Sequence, residues 1–366
     1  MTEEVLLTGY PSFLARNLCN ELLGDPNVRV HALIRPAAKE IAKREIESMP
    51  PDRRMRIVPL EGDVSHIDMG LSKFELDDLS SAVERVYHFA DVSFPAVERE
   101  RAIQTNVGGT KEVLEVAALL SKVKSIVIGS TAFVSGNRRG LVREEELLEG
   151  QSFRNPVEES KAKAERFARE AMKRLPITVV RPSMVIGHSE SGAVDRLDGP
   201  YLLFLLMMSS PGDLALPLPA KGDVPLHLVP VDYVARAVRA ISLDPRAPGR
   251  TVHIVDGSPL TARKVSELVA EVAGKRFPRR FIPANLTKAI LMTPGLDKML
   301  KSPRAFLDSL VLPVEFDAFN LRDLLGPNDC PPFPTYVDKI VGHIQTRLHK
   351  SERTSEFDSD PLDSGL

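Results

Sequence analysis

The stretch EVLLTGYPSFLARNLCNELL, from Glu4 to Leu23, constrains the fold of this chain more than any other. Val5, Leu6 and Leu7 form a short apolar run, the mark of a strand buried on both faces. Thr8-Gly9 breaks that run. Phe13, Leu14, Leu18 and Leu22 then recur at helical spacing as one apolar stripe. A strand that turns tightly into a helix is the opening of a nucleotide-binding βαβ unit. In such a unit a pyrophosphate rests on the free N–H groups around the turn, here Gly9, Ser12, Phe13 and Leu14.

Val28 to Ile34 predicts a second strand, closed by Arg35-Pro36. A dinucleotide fold reads the adenosine ribose at this point. An acid there bonds a 2′-hydroxyl, whereas an arginine accommodates a 2′-phosphate. The strand holds no Asp or Glu and Arg35 follows it directly, which points to NADP, although an arginine that only ends the strand in solvent would look the same.

Further strands are predicted at Arg56–Leu60, Val86–Ala90, Ser125–Gly129, Ile177–Arg181 and Val252–Val255. Up to about residue 185 they alternate with helices. That pattern argues an α/β protein with a doubly wound parallel sheet and right-handed crossovers. Helices are predicted at Leu260–Ala273, Asn285–Met292, Pro303–Leu310 and Tyr336–Leu348, with proline dense between them. The expected division is a Rossmann domain of residues 1–185 plus about 226–256, and a smaller, mostly helical substrate lobe of 186–225 and 257–348. Residues 350–366, acidic among Ser and Pro, read as a disordered tail.

Totals exclude several classes. The net charge of -2 gives no global field for nucleic acid or anionic membrane. The longest strongly apolar run, Tyr201 to Met208, is far below the roughly 20 residues a membrane helix needs. Cys19 and Cys330 make no metal or redox motif, so a soluble, cytoplasmic protein without a metal site is expected.

The N-terminal turn, TGYPSFLA, resembles the TGxxGxxG turn of the extended short-chain dehydrogenase/reductase family, written there TGATGFLG. Gly9 holds the first glycine, Ser12 replaces the second and Ala15 the third. Further motifs follow in order. Gly62-Asp63-Val64 resembles the GDL/GDV turn whose Asp contacts adenine, although a turn-forming Asp would look the same. Val86 to Ala90 matches the YHxA strand, whose backbone near Ala90 lines the cofactor. His88 suits a buried structural role equally well. Asn106 to Thr110 matches NVxGT, by which Asn106 is expected to contact the cofactor, and Ser130 to Gly136 resembles STAYVSG, which implies that the Thr131 hydroxyl orients a substrate carbonyl.

Pro182-Ser183, the GAVDRLDGPYLL run, VPVDYVA and the CPPFPTYVDKIV ending resemble a bacterial branch near thioester-reductase and male-sterility type acyl reductases. The resemblance implies that Pro182 and Ser183 contact the cofactor. It covers nearly the whole chain, from Val5 to about Leu348.

The decisive departure lies in Asn155-Pro156-Val157-Glu158-Glu159-Ser160-Lys161, which the family writes NPYxxSK. There the lysine lowers the pKa of a tyrosine one turn earlier, and that tyrosine exchanges a proton with the substrate. The lysine also holds the nicotinamide ribose. Lys161 is present, but the tyrosine is Val157. Tyr201 falls in the expected substrate segment and could substitute from across the cleft.

Two function classes remain open. One is an NADP-dependent oxidoreductase on an apolar carbonyl or acyl-thioester substrate, with Thr131 and Lys161 as its catalytic residues. The other is a catalytically silent dinucleotide-binding sensor or scaffold. A third, an enzyme binding no cofactor, would require Pro11 and Ser12 to fill the phosphate site. The oligomeric state is open, with a homodimer among the options.

Overall fold

The computed structural model describes residues 2–197, 199–208, 218–219, 222–277, 281–282 and 313–353. Seven strands form the central sheet: β1 (Glu3–Tyr10), β2 (Val28–Ile34), β3 (Ile57–Glu61), β4 (Val83–His88), β5 (Ser125–Gly129), β6 (Ile177–Pro182) and β7 (Thr251–Ile254). Every pairing is parallel, in the order β7-β6-β5-β4-β1-β2-β3. The order reverses between β1 and β4. In open parallel sheets such a switch point opens a crevice beyond the strands' carboxyl ends.

Strand β1 shows why the apolar runs are continuous. Val5 and Leu7 point into one buried layer and Leu6 into the other. The first layer is covered by α1 (Phe13–Leu22), whose Ala15, Leu18, Cys19 and Leu22 are buried. The opposite layer is built by α2 (Gly109–Leu119) and α3 (Pro156–Ala171), through Val113, Leu114, Val116, Ala117 and Ala168. Sequence dictates the start of α3: Asn155 Oδ1 accepts from Glu158 N at 3.0 Å, and Pro156 occupies the first turn.

A separate apolar cluster joins α4 (Tyr201–Met208), α5 (Ala262–Val272) and α6 (Val337–Arg353). Aromatic rings stack edge-on through it, from Tyr201 to Phe204, Phe333 and Tyr336. Part of the segment expected in the lobe lies instead against the sheet. Val314–Phe316 pairs with Gly140–Val142, and Phe316, Leu321 and Leu324 join the core around α1. A proline-rich connection hid that return, because it ends in only a three-residue strand.

Helix α6 runs to Arg353, past Lys350 where the tail was expected to begin. The helices expected at Asn285–Met292 and Pro303–Leu310, and residues 354–366, lie outside the described residues. Among the described residues no helix is long and apolar enough to cross a membrane, and no cluster could hold a metal ion.

Candidate active site

A cavity of about 900 Å³ opens at the switch point. Much of its wall is chain at or beyond the strands' carboxyl ends, and α3 and the segment from Asp195 to Tyr201 supply the rest. Gly9 to Leu14 follow β1, Arg35 follows β2, and Gly62 and Val64 follow β3. Phe89 to Val97 follow β4, Gly129 to Thr131 follow β5, and Pro182 to Val185 follow β6.

Gly9 has φ +91°, and a Cβ there would lie 2.4 Å from the carbonyl oxygen of Phe89. Only glycine fits. The Tyr10–Pro11 peptide is cis, and Ser12 N donates to Gly9 O at 2.8 Å, closing the turn. Ser12 then begins α1 at φ -57° and ψ 158° without its hydroxyl capping the helix. The first turn carries no acid. Its leading N–H groups lack intrahelical partners and sit at the positive end of the dipole. Phe13 and Leu14 line the cavity beside Pro11 and Ser12, so the end of α1 faces the cavity. An anion is what this arrangement accepts.

The serine at the second glycine position therefore distorts nothing. Ser12 occupies backbone space open to any residue.

Below the turn, Thr8 Oγ1 bonds His88 Nδ1 at 2.8 Å, and His88 Nε2 bonds Thr110 Oγ1 at 3.1 Å. Thr8 Oγ1 also accepts from Phe89 N and Ala90 N, each at 3.2 Å. Burial, helped by the nearby Lys161 charge, pushes the His88 imidazole down to about 3. It stays neutral and serves as a clamp between β1, β4 and α2, holding the Ala90 backbone at the cavity wall.

Lys161 is buried on α3, and Val157 lines the cavity one turn before it. The Lys161 ammonium donates to Gly129 O at 2.8 Å and pairs with Asp91 Oδ2 at 2.5 Å. Thr131 lies in the same wall. Its hydroxyl is only loosely held, accepting from Phe133 N at 3.3 Å and donating to Pro182 O at 3.4 Å. Pro182 and Ser183 border the cavity, with Ser183 Oγ donating to His227 O at 2.7 Å.

Two expected cofactor contacts are placed differently. Asp63 Oδ1 accepts from Ser65 N at 2.8 Å and Ser65 Oγ at 2.7 Å, the turn-forming alternative. Its neighbours Gly62 and Val64 face the cavity. Asn106 is buried behind the wall. It bonds Val92 N at 2.8 Å, Val92 O at 3.1 Å and Ser160 Oγ at 2.9 Å, pinning the loop after β4 to α3. Tyr201 borders the cavity, but its hydroxyl accepts from Gly187 N at 2.6 Å and its ring stacks on Phe204.

Asp91 was not anticipated from the sequence. The signal was an acid directly after the YHFA strand end, one residue beyond the recognised motif. Glu165, four residues past Lys161 on the same helix face, was also missed; its Oε2 accepts from Ser130 Oγ at 2.6 Å.

Strand order, glycine turn and the approach of Lys161 and Thr131 to one cavity define a dinucleotide-binding α/β protein of the extended short-chain dehydrogenase/reductase type. The family of NAD-binding domains described as male sterility protein matches residues 7–238, and the chain belongs to it. It is 26% identical over 291 residues to a linear gramicidin synthase of Brevibacillus parabrevis, covering 75% of this chain and 6% of that protein. Fatty acyl-CoA reductase 1 of Xenopus laevis is 24% identical over 281 residues, covering 65% of this chain and 54% of that protein. The chain thus spans at most about half the length of these relatives. Among solved structures, the terminal R domain from the myxalamid PKS-NRPS pathway superposes with TM-score 0.80 at 26% identity, covering 95% of this chain and 92% of that one. The UDP-glucuronic acid 4-epimerase of Bacillus cereus shares the fold at TM-score 0.69 and 17% identity, covering 94% and 99%.

Proposed function

We propose that this protein is an NADP(H)-dependent reductase acting on an apolar carbonyl or acyl-thioester substrate. The observation that carries the reading is the meeting of Thr131, Lys161 and the open end of α1 in one cavity. The residues present suit a dinucleotide. Gly9 admits no side chain, Ser12 leaves its hydroxyl uncommitted to the helix, and Arg35 stands where a 2′-phosphate would be read. A bound nicotinamide would supply the hydride.

The chain's own part is orientation. Thr131 Oγ1 would turn from its long bond to Pro182 O and donate to the substrate oxygen. Lys161 would hold a ribose hydroxyl while anchored on Gly129 O. The apolar walls at Phe94, Val157, Met184 and Val185 would exclude water around a carbonyl. Val157 can pass no proton, so that step falls to a water or another group. The free Cys19 and Cys330 suit the reducing cytoplasm we assign it.

A second reading, a dinucleotide-binding protein without turnover, is favoured by Val157 alone. Titration with NADPH and NADH, followed by cofactor fluorescence, and then assay with an aldehyde and an acyl thioester, separates them. Tight NADPH binding with turnover is expected. Binding of neither cofactor would end both readings.

A further inference from the structure

Lys161 has two partners, and only one is structural. Gly129 O holds the ammonium in place against β5 at 2.8 Å. Asp91 Oδ2, at 2.5 Å, adds a full opposite charge. The carboxylate comes from the loop after β4, and that loop is fastened to α3 through Asn106, Val92 and Ser160. Its position is thus fixed relative to Lys161 by buried bonds. The Lys161 side chain is 8% exposed and that of Asp91 27%, so water screens the pair only partly. Both border the cavity, as does Val157.

We propose that Asp91 is a positioning residue that binds and offsets the Lys161 charge, so that two residues, Val157 and Asp91, together set the proton chemistry of this site. The proposal rests on the reductase reading for its catalytic meaning. The contact itself does not. An ammonium beside a phenol stabilises the phenolate and so makes the phenol a better acid. An ammonium already paired at contact distance with a carboxylate presents nearly a dipole at the next position, whose field falls off steeply. A hydroxyl restored at position 157 would therefore meet a neutral pair, with the Asp91 carboxylate opposing its ionisation.

This yields an outcome that loss of the tyrosine alone does not. If Val157 were the whole change, Val157→Tyr would recover the acid. With Asp91 in place, the introduced phenol stays an ordinary one. Asp91→Asn keeps the shape and a hydrogen-bonding oxygen for Lys161 while removing the charge, so it isolates the electrostatic part.

The test compares Val157→Tyr with Val157→Tyr/Asp91→Asn in full-length protein. The first readout is phenolate absorbance against pH, with neither cofactor nor substrate present. The chain has five tyrosines and no tryptophan. Burial raises Tyr10, Tyr87, Tyr233 and Tyr336, and Tyr201 is common to both variants, so the difference between their titrations reads the introduced phenol. In the double variant that phenol should titrate about one pH unit or more lower than in Val157→Tyr. Circular dichroism confirms that both are folded, and Asp91→Ser in place of Asp91→Asn gives an independent charge removal.

The second readout is turnover of octanal with NADPH, expected to be at least about tenfold faster in the double variant, a part of the roughly 10²–10⁴-fold that a general acid supplies. If the two phenols titrate together, the proposal is overturned. If the phenol shifts but octanal reduction does not rise, the Asp91 assignment stands and the reductase reading falls.

Discussion

Glu165 and Arg181 face each other with neither side chain reached by solvent, Arg181 Nη2 donating to Glu165 Oε1 at 2.7 Å and Nε to Oε2 at 3.0 Å. The same carboxylate accepts from Ser130 Oγ at 2.6 Å. The buried pair thus fixes the residue before Thr131, just as Lys161 fixes Gly129. Removing one partner strands the other charge. Glu165→Ala should cost about 3–5 kcal/mol of stability, read by urea unfolding. A loss below about 1 kcal/mol would mean that water reaches Arg181.

Gly9 supports a sharper expectation. An added Cβ at φ +91° meets backbone, the Phe89 carbonyl and the Ala90 nitrogen, which cannot rotate away. Gly9→Ala should destabilise by at least about 1–3 kcal/mol and abolish dinucleotide binding. Unchanged binding in a calorimetric titration would remove this turn from the site.

Much of the fold was legible because buried parallel strands read as continuous apolar runs. Val28–Ile34 and Ser125–Gly129 are placed as the sequence predicts. Contacts made across long stretches of chain were not legible. No local pattern tells Asp91 that Lys161 will lie against it, or Phe316 that it will pack beside Phe133. At the turn, the motif has glycine at the position of Ser12, whereas the backbone there, at φ -57°, needs none.

The Ser12 hydroxyl is not used as a cap, so it is open to a phosphate oxygen. Ser12→Ala should weaken NADPH by about 1 kcal/mol, the usual net worth of one hydrogen bond. Tighter binding by the variant would show that the hydroxyl obstructs the phosphate.

Arg35 borders the cavity at the end of β2, in extended backbone that opens the turn Pro36–Ala38. If it reads a 2′-phosphate, Arg35→Ala should weaken NADPH by about 1.5–3 kcal/mol and leave NADH nearly unchanged. Parallel fluorescence titrations measure the two. Equal losses would assign Arg35 a structural role and leave NAD as the better cofactor.

His88 links the site to pH. Its ordinary value of 6.5 falls to about 3 in the fold, chiefly through burial. Between those values the unfolded chain binds a proton at position 88 that the folded chain refuses. Stability is therefore full above pH 6.5 and is lost as pH falls toward 3, at up to about 1.4 kcal/mol per pH unit. His253, also pushed down to about 3 by burial, acts in the same direction. Glu144, raised to about 7 by burial, acts oppositely, since the folded chain holds its proton longer. A difference between two proteins isolates His88 from both. Glutamine at this position can still bond the Thr8 and Thr110 hydroxyls but does not titrate. His88→Gln should be less stable than the native chain at roughly pH 7.5, and the gap should narrow toward roughly pH 5. Urea unfolding across that range measures it. A gap that stays constant with pH would show that His88 takes up its proton equally in the folded and unfolded chains.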